Sequence, residues 1–122
     1  MIFYQQCLGG QLNMQTVAGS ALEDRCPVAM QRKIIHATLL SGAIFIMGSD
    51  MCDAAGVVPG NTIAISLNCS SEQEINTLYE RFSEGGKVVD PLKTQFWGGM
   101  FGLVEDKFGV RWMFNYDKNE LN

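Results

Sequence analysis

The sequence predicts an α+β chain made of two tandem units of the order β-α-β-β-β, the first lacking its opening strand. Two observations carry this. The order helix, double glycine, strand, then two hairpin strands occurs around Gly9-Gly10 and again around Gly85-Gly86, and a repeated order marks a duplicated unit. Near the end, the stretch from Gln95 to Tyr116, QFWGGMFGLVEDKFGVRWMFNY, reads as two apolar strands joined by a tight turn at Asp106–Gly109. Trp97, Phe101, Trp112 and Phe114 suit a half-buried pleated surface there. The whole of 1–122 is expected to be one domain, with unit one at 1–50, a connector at 51–60 and unit two at 61–117.

Ile2 to Leu8 reads as the end of a helix, with Phe3, Cys7 and Leu8 on one face and Gly9-Gly10 as its stop. A strand is expected over Leu12–Val17. Ala18 to Arg32 mixes Gly, Ser, charges and Pro27, a long loop of the kind that often covers a site. Strands follow at Lys33–Leu40 and Ala43–Met47, joined through Ser41-Gly42. From Thr62 to Asn68 the chain alternates, with Ile63, Ile65 and Leu67 on one face and Thr62, Ala64, Ser66 and Asn68 on the other. That second face is small and polar where a surface in bulk water would carry Lys or Glu, so it suits a cavity wall. Ser70 or Ser71 caps the next helix, Glu72 and Glu74 favour its positive end, and Ile75, Leu78, Tyr79 and Phe82 form its apolar stripe. Gly85-Gly86 ends it, and Lys87–Val89 opens the next strand.

With 122 residues, 47% apolar and 18% charged, the chain has material for one real core. A net charge of −4 argues against nucleic acid or anionic membrane as partner, since both require a basic face. No apolar run approaches the ~20 residues of a spanning helix. The first residues lack the basic start and apolar centre of a signal peptide, which points to the cytoplasm. Cys7, Cys26, Cys52 and Cys69 are scattered, without a CxxC pair, so reduced and mostly buried thiols are expected. Cys26 follows Arg25 in the long loop, where a cation would favour a reactive thiolate.

The order FWGxxFGxVxDxFGVxWMxN over Phe96–Asn115, together with Ile35-His36-Ala37-Thr38-Leu39, resembles the PhnB-like branch of the glyoxalase/bleomycin-resistance/dioxygenase (vicinal oxygen chelate) superfamily. The resemblance covers essentially the whole chain and implies a cupped mixed sheet with helices on its outer face. It also implies a homodimer. Catalytic relatives hold a divalent metal with His, Gln or Glu from the first and last strands of each unit. By the repeat, those positions fall here on Ile46, Thr62 and Met113, and none is a ligand for a hard metal. No metal and no cofactor are therefore expected. A ubiquinone-precursor methyltransferase activity, a label this branch often carries, finds no support, because no glycine-rich strand-to-helix loop is present.

The expected function is binding of a small molecule in an apolar cup lined by His36, Thr38, Thr62, Ser66, Trp97, Arg111, Met113 and Asn115. On the last strand Arg111, Met113 and Asn115 share a face, so if Met113 lines the cup the other two do as well. Arg111 then has two readings: a fork for a carboxylate or phosphonate oxygen, or a rim cation paired with an acid. His36, the single histidine, is either a hydrogen-bonding or general-base group, or a strand residue bonded to a neighbour, with Asp50 and Asp53 within reach only if the connector folds back. The alternative function is a divalent-metal-dependent lyase, isomerase, dioxygenase or thiol transferase, which would need ligands from other positions, such as His36 with Glu105 or Asp50. Catalytic residues are not assigned.

Overall fold

The computed structural model describes residues 1–21, 23–26, 28–51 and 56–117. The chain forms two compact units, Met1–Val58 and Pro59–Asn122.

Unit one runs α1 (Ile2–Leu8), β1 (Gln11–Thr16), two single 3-10 turns at Glu23–Arg25 and Val28–Met30, β2 (Ile34–Ser41) and β3 (Ile44–Gly48). Its sheet is antiparallel in the order β1-β2-β3. The helix stops because Gly9 and Gly10 take positive φ, 74° and 89°. The core comprises Phe3, Tyr4 and Cys7 of α1, Val17 after β1, and Ala37 and Leu39 of β2. The hairpin turn is Gly42-Ala43, not Ser41-Gly42, because Ser41 pairs with Ile44 and its hydroxyl donates to the Leu8 carbonyl at 2.7 Å.

Moving a two-residue turn by one position shifts every β2–β3 pairing by two residues, so the faces of β3 are kept. Ile46 pairs with fully buried Leu39 and so faces the core, while Phe45 and Met47 lie opposite Leu40 and Thr38 on the other face. The expected alignment of Ile46 with an inward ligand position is corrected accordingly.

Unit two runs β4 (Ala64–Asn68), α2 (Glu72–Ser83), β5 (Lys87–Thr94), β6 (Met100–Glu105) and β7 (Arg111–Tyr116). Its sheet order is β4-β7-β6-β5, mixed, with β4 parallel to β7 and the other pairs antiparallel. The α+β class is thus realised with α2 packed on one face. Ser71 caps α2 by accepting from the Glu74 amide at 3.0 Å. Ile75, Leu78 and Phe82 are buried beside Val104, Trp112 and Phe114, with the Phe82 ring 4.6 Å from Trp112 and 5.4 Å from Phe114. Tyr79 joins them edge-on to Phe114 at 5.6 Å.

The two double glycines do equivalent work. A Cβ on Gly10 would collide with the backbone at Leu40-Ser41, and one on Gly86 with the backbone at Glu105-Asp106. In each unit the second glycine lets the strand after the helix start hard against the end of the middle hairpin strand. This is the physical content of the repeat.

Two expected strand ends move. Thr62 lies in a bend, because β4 gains its parallel partner only where β7 begins, opposite Arg111. Trp97 lies in a turn closed by the Gly98 amide on the Gln95 carbonyl at 3.0 Å, with Gly98 at φ 93°, so β6 starts at Met100. The expectation of reduced cysteines is also corrected in part. Cys26 is disulfide-bonded, whereas Cys7 and Cys69 are buried thiols. Cys52 lies outside the described residues.

Candidate functional site

The hairpin β6–β7 sets the site through its turn. Asp106 is 3% exposed, and its carboxylate accepts from the amides of Phe108 (2.8 Å) and Val110 (3.0 Å) and from the Trp112 indole N–H (2.9 Å). Gly109 at φ 86° closes the turn by donating to the Asp106 carbonyl at 2.9 Å. The sequence motif around this turn therefore has a structural cause: one buried carboxylate ties both strands to the tryptophan of the core. The turn fixes the register, with Glu105 opposite Arg111, Leu103 opposite Met113 and Phe101 opposite Asn115.

Directly opposed residues share a face. Trp112 and Phe114 point to α2, so Arg111, Met113 and Asn115 point away from it. On that open face Ser66 of β4 sits beside Met113, and its hydroxyl accepts from the Asn115 side-chain amide at 2.8 Å. Glu105, Leu103 and Phe101 of β6 complete it, and Lys87 and Lys93 of β5 lie opposite Glu105 and Phe101. Arg111 Nε is 3.6 Å from Glu105 Oε1, outside hydrogen-bond reach. That Nε is shut off from water and makes no hydrogen bond.

Four of the eight expected residues, Ser66, Arg111, Met113 and Asn115, thus come together on one face of unit two. His36 and Thr38 share the open face of the unit one sheet, opposite Gln15 and between Asn13 and Met47 respectively. Thr62 is exposed in its bend, and Trp97 is half exposed with Phe96 edge-on at 5.1 Å. Neither belongs to a strand face. Asp50 does not serve His36: its Oδ2 accepts from the Ile34 amide at 2.8 Å, tying down the start of β2. Asp53 lies outside the described residues.

Sequence reasoning missed Leu103 as a companion of Met113 and Glu105 as the acid beside Arg111. The hairpin carried the signal, since residues flanking a tight turn face each other. The polar row Gln11, Asn13 and Gln15 beside His36 and Thr38 was also missed, although its alternation with Leu12 and Met14 is visible in the sequence.

The donors do not fit the metal that the fold suggests. Among the described residues no three His, Cys, Asp or Glu side chains converge. The open-face positions of each unit nearest the expected ligands hold Phe45, Met47 and Met113, which offer an aromatic ring and thioethers and no hard oxygen or nitrogen donor.

A duplicated α+β unit with an open sheet face opposite its helix defines the class: a tandem fold of glyoxalase-type architecture. The chain belongs to the Glyoxalase/Bleomycin resistance protein/Dioxygenase superfamily, whose family model matches residues 1–114. Protein YjdN of Escherichia coli (strain K12) is 30% identical over 128 residues, covering 97% of this chain and 86% of that protein. The crystal structure of protein PA1353 from Pseudomonas aeruginosa is similar at 36% identity and TM-score 0.79, over 95% of this chain and 85% of that one. A PhnB protein from Bacillus cereus, named for a 3-demethylubiquinone-9 3-methyltransferase activity, shares the fold at 22% identity and TM-score 0.68, over 96% of this chain and 88% of that one.

Proposed function

We propose that this chain is a small-molecule-binding member of its superfamily that works without the superfamily-type metal. The observation that carries the reading is the open face of unit two, where Arg111, Met113, Asn115 and Ser66 gather with Leu103 and Phe101. Such a face offers an apolar floor with a few fixed polar groups, the usual composition of a ligand site. His36 and Thr38 supply polar contacts on the unit one face, and Thr62 and Trp97 stand as contacts from the loops. In this reading residues 1–122 act as one glyoxalase-type domain, and the protein is a homodimer. It also places the protein in the cytoplasm, where the disulfide at Cys26 would be open to reduction.

The test is elemental analysis of protein purified without chelator, then reloaded with Ni, Fe, Mn or Zn. Substoichiometric metal under every loading is the expected result. Tight metal at one per chain that vanishes in His36→Ala would overturn the reading and revive the lyase, isomerase, dioxygenase or thiol transferase.

A further inference from the structure

The charges on the open face of unit two are unlike those of the chain as a whole. The row Lys87, Glu105, Arg111 crosses β5, β6 and β7, so a single acid stands between two cations. Lys93 adds a third cation opposite Phe101, and Asp90 a second acid opposite Leu103. A net positive face is thus set on a chain of net charge −4. Within it, Arg111 is ion-paired with Glu105 at 3.6 Å, but its Nε is sealed from water and makes no hydrogen bond. A buried donor left unbonded is costly, and a guanidinium presents a planar fork matched to two oxygens of one anion.

Resting on the binding reading above, we infer that the ligand is an amphipathic anion whose carboxylate or phosphate-type head is held by Arg111. Its apolar body lies over Met113 and Leu103, and its far end reaches the Asn115–Ser66 pair. Positions two apart on a strand are about 7 Å apart, so the face takes a head, a short apolar middle and a polar end in sequence along β7. Glu105 acts as the internal competitor of the ligand. It pairs with Arg111 as an ion at 3.6 Å, too far for a hydrogen bond, so an anionic head group competes with it for the guanidinium.

The experiment is NMR titration of the full chain with benzoate, phenylphosphonate and benzamide, following the Arg111 Nε–H and the Met113 methyl. Both signals should move together with benzoate or phenylphosphonate, and benzamide should bind about ten-fold more weakly or worse. Whichever anion binds more tightly identifies the head group as planar carboxylate or tetrahedral oxyanion. Arg111→Gln should weaken the anion about ten-fold, Arg111→Lys should recover only part of the loss, and Glu105→Gln should tighten it. If benzamide and benzoate move Met113 equally while Arg111 stays still, the anionic inference fails and the binding reading stands. If no probe moves either signal in the wild-type protein at any soluble concentration, both fall.

Discussion

Cys69 shows how placement alone changes a residue. It follows β4 directly, its amide donates to the Asn115 carbonyl at 2.7 Å, and its side chain is buried. Burial first and the charge of Glu74 second push its thiol from 9.0 up to about 11. Below the unfolded value both states hold the proton and nothing changes with pH. Above it the unfolded thiol ionises first, so stability falls between about pH 9 and 11, by on the order of 2 kcal/mol. The Tyr79 hydroxyl, raised mainly by burial, loses stability in the same alkaline direction. Urea unfolding across that range should show the decline, and Cys69→Ala should flatten it to the share of Tyr79. An identical profile in the variant would remove the thiol from the account. At this scale the sequence was legible wherever alternation alone decided a face, as for Ser66, Arg111, Met113 and Asn115. It misplaced Ile46 because the repeat alone aligned β3, whereas the pairing of Ile46 with buried Leu39 sets its face.

Among the elements, the β6–β7 hairpin depends most on one side chain. Removing the Asp106 carboxylate leaves the Phe108 and Val110 amides and the Trp112 indole without their acceptor. Each unmet buried donor costs about 1–3 kcal/mol. Asp106→Ala should therefore destabilise unit two by about 2–3 kcal/mol, most of it from the buried Trp112 bond, and Asp106→Asn by less because one oxygen acceptor survives. Urea unfolding with matched slopes measures both, and a loss below about 1 kcal/mol in the alanine variant would contradict the assigned role. The helices were readable because their signals are local: Ser71 with Glu74, the stripe of Ile75, Leu78 and Phe82, and the glycine stops. β5 was readable only at its start. It continues through Pro91 to Thr94, and a proline is tolerated there because β5 is an edge strand, bonded among the described residues to β6 alone. Edge status is a property of the sheet, and Pro91 is the mark of it that the strand carries.

At the level of the molecule, the two units are unequal. Unit two has four strands, with β4 lying parallel along β7, whereas β3, its counterpart in unit one by the repeat, pairs with β2 and, among the described residues, with nothing on its other side. β3 reads Ile-Phe-Ile-Met-Gly, with no charge or proline to discourage pairing, and Phe45 and Met47 are 59% and 62% exposed. An edge of this kind accounts for the proposed homodimer. Light scattering should give twice the chain mass, and lysine at both Phe45 and Met47 should shift it toward the single chain without unfolding unit two. A monomer at every concentration would sink the dimer. The duplication was legible at this scale because the double glycines recur in the same order. Strand pairing was not, since it joins residues far apart in sequence.

The carboxylate that organises the turn also makes unit two optically distinct. Both tryptophans of the chain lie there: Trp112 is sealed and hydrogen-bonded to Asp106, while Trp97 is half in water. Iodide should therefore quench one indole and spare the other. Melting followed by tryptophan emission draws its signal from unit two, and the buried Tyr4 is the aromatic reporter that unit one offers instead.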